Sequence, residues 1–160
     1  MKIVVVKFGG TSVADIPKLR NVAKIVIEKY KAYKVIVVLS AMAGVTNKLQ
    51  SYIDEIGYFP SKETDLVMTS GEQVTIGLLS MILNKEGVKS IPLLGWQIPI
   101  ITDDSFEKGK ILNIKKDVIT HYFKSNDVIV LAGFQGVNIY GDITSLGRGG
   151  SDTTAVAIAA

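Results

Sequence analysis

Three short runs of apolar, mostly β-branched residues constrain the fold of this chain more than any other feature. They are residues 2–8 (KIVVVKF), 34–39 (KVIVVL) and 127–132 (DVIVLA). Strands that are buried on both faces have such continuous runs, whereas half-exposed strands alternate apolar and polar residues. Helical spacing follows the first run in residues 16–33. The sequence therefore predicts an α/β fold with a mostly parallel sheet and helices on both faces.

The other elements are predicted from periodicity and from turn residues. Helices are expected at residues 48–56, 61–84 (with a break near Ser70-Gly71) and 109–123, and a strand at 89–94. The stretch 96–103 contains Pro99 and predicts an irregular or edge strand. Residues 134–140, closed by Gly141-Asp142, predict a small β-hairpin arm.

Composition excludes several classes of protein. The 160 residues are 48% hydrophobic and 21% charged, as in ordinary globular domains. No apolar run reaches the roughly 18–20 residues of a membrane span, and the N-terminal run is interrupted at Lys7, so we expect neither membrane association nor a secretory signal. Cysteine is absent, which excludes disulfides and thiolate chemistry. The net charge of +3 comes from scattered lysines, a pattern that does not favour nucleic-acid binding.

The last ten residues, SDTTAVAIAA, predict a short apolar helix that starts near Ser151 and Asp152. A helix with no polar face is normally buried between other elements. We therefore expect residues 1–160 to be part of a larger fold. Surface residues of this helix such as Val156 and Ile158 would then favour association between copies of the chain.

Small residues follow the predicted strands where ligands bind in parallel sheets, beyond the carboxyl ends. Three such segments directly follow strands, namely residues 9–12 (GGTS), 40–47 (SAMAGVTN) and 133–136 (GFQG). A fourth, residues 144–152 (TSLGRGGSD), lies further along the chain. Backbone N–H groups in such loops, and at a helix N-terminus, can bind phosphate. Taken singly, Gly9-Gly10 could be a plain tight turn, Lys7 a solvated strand end and residues 147–152 a helix start. Their coincidence at one edge predicts a phosphoryl or polyphosphate ligand.

Signatures of other enzyme classes are missing. The chain contains no GxxxxGK[ST] loop, no GxGxxG after a strand and no GxSxG turn. His121 is the only histidine, so a Ser-His-Asp triad and a histidine-based zinc site are not expected, and no metal ligands are predicted.

Five motifs together carry a family resemblance. In chain order they are KFGGTS (7–12), SAMAGVTN (40–47), SGEQV (70–74), GFQG (133–136) and LGRGGSDTTA (146–155). This set closely resembles the aspartate kinases of the amino-acid kinase superfamily, from Lys7 to the last residues. KFGGTS and GRGGSDTTA are specific to aspartate kinases, whereas the glycine-rich loop alone would also fit glutamate 5-kinase or uridylate kinase.

The resemblance implies an activity and its cofactors. It implies a cytoplasmic enzyme that uses ATP and Mg²⁺ to phosphorylate the β-carboxylate of L-aspartate. The product, 4-phospho-L-aspartate, would enter the synthesis of lysine, diaminopimelate, threonine and methionine. The acceptor carboxylate is already a nucleophile, so a site without His or Cys is adequate for this transfer.

The resemblance also implies roles for nine residues. Lys7 would contact the transferring phosphate, with Gly9 and Gly10 lining its path and Ser40 close by. Thr46, Glu72 and Ser151 would hold the substrate, with Glu72 at its ammonium. Arg148 would bind the α-carboxylate, since arginine suits bidentate carboxylate binding better than lysine. Asp152 would organise the active-site lysines, or would serve mainly as a helix N-cap.

Aspartate kinases continue beyond the matched region. The resemblance implies that residues 1–160 form the N-terminal part of the catalytic domain. The ATP-binding remainder and the ACT regulatory domains would lie outside these residues. We therefore expect little or no turnover by this chain alone. We also expect either a homo-oligomer such as a dimer or a complementing C-terminal chain. The alternatives are a non-catalytic remnant or another amino-acid kinase such as glutamate 5-kinase.

Overall fold

The secondary structure alternates strands and helices along most of the chain. The computed structural model describes residues 2–57 and 59–160. Its strands, in chain order, are β1 (Ile3–Phe8), β2 (Lys34–Leu39), β3 (Ser90–Leu93), β4 (Ile100–Thr102), β5 (Ile111–Ile114), β6 (Val128–Ala132), β7 (Gln135–Val137) and β8 (Ile143–Ser145). Its helices are α1 (Ile16–Tyr30), α2 (Val45–Ile56), α3 (Lys62–Met68), α4 (Ser70–Lys85), α5 (Lys116–Tyr122) and α6 (Gly150–Ala159), with a 3-10 turn at Gly10–Val13.

The three apolar runs form the centre of a parallel sheet, as predicted. Its strand order is β1-β2-β6-β3, and every neighbouring pair is parallel. All carboxyl ends therefore lie at one edge. The two ladders that flank β2 continue by one bond beyond that edge, from the Ser40 N–H to the Phe8 carbonyl and from the Gly133 N–H to the Leu39 carbonyl.

Helices cover both faces of this sheet, which confirms the predicted architecture. On one face Val35, Val37 and Leu39 of β2 pack with buried residues of α1 and α4. On the other face Ile36 and Val38 pack with buried residues of α5, and α6 lies on the same side. Residues of β2 and β6 are buried on both faces, which is why these runs contain no alternating polar positions.

A second four-stranded sheet is larger than the arm that the sequence predicts. A hairpin is present, but only its first strand, β7, lies within the predicted residues 134–140. The second strand, β8, follows Gly141-Asp142 and pairs antiparallel with β7. The hairpin is joined by β4 and β5 in the order β5-β4-β7-β8. Of the two alternatives predicted for residues 96–103, the edge strand is wrong, because β4 pairs with β5 on one side and with β7 on the other. The irregular strand is confirmed, because only Ile100–Thr102 form a strand and the pairing with β5 shifts its register between Ile101 and Thr102. Pro99 precedes β4 and therefore removes no ladder hydrogen bond.

The predicted helix at 109–123 is also wrong in its first half. Residues Ile111–Ile114 form β5, and only Lys116–Tyr122 are helical. Ile111, Ile114 and Val118 have helical spacing, but Ile111 and Ile114 are also placed to pair with Thr102 and Ile100 of β4. Pairing with β4 outweighs the weak helical preference of a segment that contains Gly109 and Asn113.

Two predicted boundaries shift by a few residues. Helix α1 ends at Tyr30 rather than at residue 33. Helix α2 begins at Val45 rather than at residue 48, because Gly44 adopts a left-handed conformation (φ 82°) and starts the helix earlier. Thr46 therefore lies in the first turn of a helix and not in a loop.

Helices α3 and α4 are separated at Thr69, close to the predicted break. Taken together, residues 62–85 are long and apolar enough to cross a membrane by length and composition alone. However, Leu79 and Leu83 are fully buried against the parallel sheet, and the pair of helices also buries Asp65 and Glu72. Their hydropathy is that of a core helix of a globular domain.

Candidate active site

A cavity of about 240 Å³ opens at the carboxyl edge of the parallel sheet. Strand β1 contributes Lys7, and the segments that follow β2 and β6 contribute Ser40 and Phe134. The remaining lining residues are Thr46, Glu72, Gly147, Arg148, Gly149, Gly150, Ser151 and Asp152. The expectation that ligands bind beyond the strand ends thus coincides with a formed cavity.

The structure brings together most of the residues that the sequence selects. Seven of the nine line the cavity, namely Lys7, Ser40, Thr46, Glu72, Arg148, Ser151 and Asp152. Gly9 and Gly10 are not among the lining residues. They lie in the turn directly after β1, where an added Cβ on Gly9 would sit 3.4 Å from Lys7 Nζ. Gly9 therefore lies next to the lysine ammonium group.

Lys7 and Asp152 form an ion pair across the cavity. The distance from Lys7 Nζ to Asp152 Oδ1 is 2.8 Å, and the lysine side chain is the more buried of the two. The pair joins the end of β1 to the first turn of α6. Because it is accessible to solvent, its main effect is to orient the lysine ammonium rather than to stabilise the fold.

Glu72 is a buried carboxylate with an unsatisfied oxygen. The side chain is 3% exposed. Its Oε1 accepts a hydrogen bond from the Ala41 N–H at 3.1 Å, whereas Oε2 has no partner among the described residues. Burial raises the pKa of this carboxyl to about 7, and hydrogen bonds from backbone N–H groups oppose the shift. A buried carboxylate without a cation favours a cationic ligand group.

Gly71 explains how Glu72 reaches the cavity. A Cβ at Gly71 would come within 2.8 Å of the Ala41 Cβ and 3.0 Å of a Val45 methyl group. The start of α4 can therefore approach the segment after β2 only because this residue lacks a side chain. The close approach lets the Ala41 N–H reach Glu72.

Arg148 lies between two glycines with left-handed backbones. Gly147 has φ 75° and Gly149 has φ 76°, a region that other residues adopt at a cost. The loop that they form, residues 146–149, is called the Arg148 loop below. Arg148 is exposed, and in residues 2–57 and 59–160 no carboxylate forms an ion pair with its guanidinium. The guanidinium is therefore available to an anionic ligand.

Helix α6 starts one residue earlier than its polar residues suggest. Its N-cap is Gly149, without a side-chain hydrogen bond, so the interpretation of Asp152 mainly as an N-cap is wrong. Ser151 is buried against the segment after β6, where a Cβ on Gly133 would come within 2.6 Å of the Ser151 Oγ. Ser151 therefore combines a packing contact with its place in the cavity wall.

Phe134 lines the cavity, although the sequence selects only its loop, residues 133–136, and not this residue. Its φ of 71° is rare for an aromatic residue. Its N–H donates to Thr154 Oγ1 at 3.2 Å, and its carbonyl accepts from the Leu146 N–H at 2.9 Å. The neighbouring Gln135 does have a packing role, because it is buried and its amide bonds the Thr69 carbonyl and the Gly95 N–H. The GFQG motif alone does not show which of its residues lines the cavity and which one packs in the interior.

A metal site made by protein side chains alone is not found in the described ranges, where no three acidic or histidine side chains cluster. Asp152 is the only exposed carboxylate that lines the cavity, and it already pairs with Lys7.

The cavity combines a buried anion with several groups that attract anions. Lys7, Arg148 and the backbone N–H groups at the start of α6 face the same space as the Glu72 carboxylate. An amino acid offers an ammonium group for Glu72 and a carboxylate for Arg148. The arrangement can therefore hold a zwitterion and still present cationic charge to a second anion.

The sequence profile of the amino acid kinase family matches residues 2–160. The chain therefore belongs to the amino acid kinase family. Among its relatives, an aspartokinase from Bacillus sp. (strain MGA3) is 48% identical over the whole chain, and one from Geobacillus stearothermophilus is 46% identical. The crystal structure of an aspartate kinase from Synechocystis superposes with a TM-score of 0.80 at 37% identity and covers the whole chain.

The chain spans only part of each of these proteins. It covers 39% of the Bacillus sp. aspartokinase, 40% of the Geobacillus stearothermophilus protein and 26% of the Synechocystis chain. Escherichia coli aspartokinase III, solved in complex with lysine and aspartate, superposes with a TM-score of 0.81 at 25% identity. The match covers 99% of the present chain and 46% of that enzyme.

Proposed function

We propose that this chain is the aspartate-binding part of an aspartate kinase, which transfers the γ-phosphoryl group of ATP to the β-carboxylate of L-aspartate. The observation that carries this proposal is the cavity in which the buried, half-satisfied Glu72 carboxylate shares its walls with Arg148. The aspartokinases that match the whole chain at 44–48% identity support aspartate over other amino acids as the acceptor.

The proposed roles follow from the charge of each group. Glu72 Oε2 accepts from the substrate ammonium, and Arg148 binds the α-carboxylate through two N–H groups. Thr46 and Ser151 contact the bound amino acid at the helix starts of α2 and α6. These contacts leave the β-carboxylate directed toward Lys7.

Lys7 is proposed to stabilise the phosphoryl transfer through its ammonium group. Its ammonium lies between the acceptor carboxylate and the γ-phosphate and offsets the repulsion between these two anions. Asp152 holds the ammonium in place at 2.8 Å. Ser40, Gly9 and Gly10 contact the phosphate from the loops after β2 and β1. A β-carboxylate oxygen forms the new bond to phosphorus, the bond from phosphorus to the β–γ bridging oxygen breaks, and ADP leaves without any proton transfer.

The nucleotide side of the reaction belongs to the parts of the enzyme outside these residues. We infer that residues 1–160 are the N-terminal part of the catalytic domain, and that Mg²⁺ enters as a complex with ATP. The 39–41% coverage of relatives such as the Bacillus sp. and Rickettsia felis aspartokinases supports this division. We expect little or no turnover by the 160-residue polypeptide alone. The pathway assignment, lysine and related biosynthesis in the cytoplasm, follows from the proposed activity.

A chimera tests the activity. In this chimera, residues 1–160 of the present chain are substituted for the matching part of the Geobacillus stearothermophilus aspartokinase. ADP formation is then measured with MgATP and either L-aspartate or L-glutamate. We expect ADP formation that depends on L-aspartate and is lost in Arg148→Ala. A folded chimera that binds nucleotide but forms no ADP with L-aspartate would contradict the proposal. Activity with L-glutamate alone would favour the glutamate 5-kinase alternative.

We also propose that the chain associates with a second copy. Val156 is 71% exposed on α6, although Ile158, which the sequence also assigns to the surface, is half-buried against the sheet. Exposed apolar side chains favour association. Light scattering is expected to show a dimer or larger species, and Val156→Glu is expected to weaken it. A monodisperse monomer at high concentration would contradict this proposal.

A further inference from the structure

Asp65 is a buried carboxylate that the proposed reaction does not use. It lies in the middle of α3 and is fully inaccessible to solvent. No lysine, arginine or histidine among the described residues forms an ion pair with it. An unpaired carboxylate is costly to bury unless strong hydrogen bonds compensate its charge.

Two segments supply those hydrogen bonds. Ser145, the last residue of β8, donates from its N–H to Oδ2 at 2.7 Å and from its Oγ to Oδ1 at 2.8 Å. The N–H of Glu107 donates to both oxygens, at 3.1 and 3.0 Å. Asp65 therefore joins α3 to the end of β8 and to the connection between β4 and β5, residues 103–110, here called the Glu107 loop.

Both segments border the Arg148 loop. Ser145 directly precedes it, and its carbonyl accepts from the Gly109 N–H at 2.9 Å. The Glu107 carbonyl lies so close to Gly147 that a Cβ there would be 2.9 Å away. Glu107 itself has φ 64°, an uncommon backbone conformation that its N–H bonds to Asp65 help to hold.

Helix α3 is followed directly by α4, which carries Glu72, the second residue proposed to bind the substrate. Helix α3 leads through Thr69 into α4, which places Glu72 at the cavity. The Thr69 carbonyl accepts a hydrogen bond from the buried Gln135 amide at 3.2 Å, which fixes the junction of the two helices. Asp65 thus connects α3, which leads into the helix that carries Glu72, with the two segments that border the Arg148 loop.

We propose that Asp65 is a positioning residue that fixes the Arg148 loop relative to Glu72, and so sets the spacing between the groups that bind the two ends of the amino-acid substrate. The substrate part of this inference rests on the proposed function. The loop-holding part does not, because it concerns only hydrogen bonds within the chain.

Hydrogen exchange tests the loop-holding part without any ligand. The probe is the Gly150 N–H, which bonds the Gly147 carbonyl at 3.0 Å across the Arg148 loop and does not touch Asp65. Asp65→Ala is expected to speed its exchange about tenfold or more, and Asp65→Asn severalfold, because the amide keeps part of the acceptor geometry. Amides of β6 should keep their protection.

A matched control separates this effect from general loss of stability. Asp127 forms a 2.6 Å ion pair with Lys34 at the opposite end of the parallel sheet. Asp127→Asn is expected to leave exchange at Gly150 unchanged. Wild-type exchange at Gly150 in folded Asp65→Asn and Asp65→Ala variants would overturn the inference. Where Asp65→Ala does not fold, the Asp65→Asn result decides.

Calorimetry with L-aspartate tests the substrate part. Asp65→Asn is expected to weaken affinity severalfold in the wild-type background and to add little in the Arg148→Lys background, because the two residues act as one unit. Equal losses in both backgrounds, or faster exchange at Gly150 with unchanged affinity, would overturn the positioning of Arg148. A wild-type chain without aspartate affinity would instead refute the proposed function, and the exchange data would still decide whether Asp65 holds the loop.

Discussion

At the scale of single residues, Arg148 gives the most specific prediction. Its guanidinium is expected to bind the α-carboxylate in a bidentate manner, a geometry that lysine cannot reproduce. Arg148→Ala should weaken L-aspartate binding by about ten- to a hundredfold, and Arg148→Lys should recover only part of the loss. Calorimetry measures both. Arg20→Ala removes the only other arginine, exposed on α1, and should have no effect. Full affinity in Arg148→Ala would refute the assignment.

Glu72 predicts a pH dependence of binding. The pKa of its carboxyl is raised to about 7 by burial, so the group is partly protonated near neutral pH. A bound ammonium favours the carboxylate form and should release a proton from it. L-Aspartate affinity is therefore expected to rise between pH 6 and 8, about tenfold at most, and this rise should be absent in Glu72→Gln. An affinity that is independent of pH in the wild type would contradict this role.

The same pKa predicts how stability changes with pH. The pKa of the Glu72 carboxyl is about 7 in the folded state and 4.5 in the unfolded state. The folded state therefore binds the carboxyl proton more tightly than the unfolded state does. Its contribution to the free energy of unfolding is present below about pH 4.5 and is lost as pH rises through 7. The loss is roughly 3 kcal/mol at about 1.4 kcal/mol per pKa unit. Urea unfolding should therefore show Glu72→Gln gaining stability relative to the wild type from pH 5 to pH 8. If the stability difference between Glu72→Gln and the wild type were equal at pH 5 and pH 8, the raised pKa of Glu72 would be refuted.

Residues that the sequence motifs single out lie together in the folded structure. Lys7, Glu72 and Arg148 stand in motifs and also line the cavity. The unsatisfied Glu72 oxygen could not be predicted, because it depends on burial by the rest of the fold. Asp65 carries no motif signal at all, since its partners are 42 and 80 residues away.

At the scale of elements, two glycines of α4 form a matched pair. A Cβ on Gly71 would overlap Ala41 and approach Val45, whereas a Cβ on Gly77 would meet no atom within 4 Å. Gly71→Ala should cost about 1–3 kcal/mol of unfolding free energy and displace Glu72. Gly77→Ala should gain roughly 0.5–1 kcal/mol, because alanine favours helix. Denaturant unfolding measures the free energy of unfolding of both variants. Equal effects of the two substitutions would show that the start of α4 is not closely packed.

Element prediction succeeded where the local pattern is unambiguous. The continuous apolar runs of β2 and β6 are short and rich in β-branched residues, which favours strands that are buried on both faces. It failed at β5, where Ile111 and Ile114 have helical spacing and the two residues between them are exposed. Their strand conformation depends on pairing with β4, a contact that local sequence does not encode.

At the scale of the whole molecule, the site depends on how the two sheets are joined. Strand β6 ends the parallel sheet at Ala132, and β7 starts the second sheet at Gln135. Phe134 lies at that junction and lines the cavity, while the hairpin β7–β8 returns the chain to the cavity as the Arg148 loop. The second sheet thus delivers Arg148 to the edge where the parallel sheet presents Lys7.

The sequence predicted the parallel sheet and the edge at which the cavity lies, but not this junction. The carboxyl-edge rule needs only the strand directions, which follow from the alternation of strands and helices. The second sheet combines four strands of three or four residues each, too short for a periodic signal. Only the folded structure brings them together.

The most direct test of the central claim is calorimetry of the 160-residue chain with three ligands. L-Aspartate carries both groups that Glu72 and Arg148 are proposed to bind, succinate lacks the ammonium and β-alanine lacks the α-carboxylate. We predict saturable binding of L-aspartate at one site, with each analogue weaker by about tenfold or more. A folded chain that gives no heat with L-aspartate, or that binds all three ligands equally, would contradict the account.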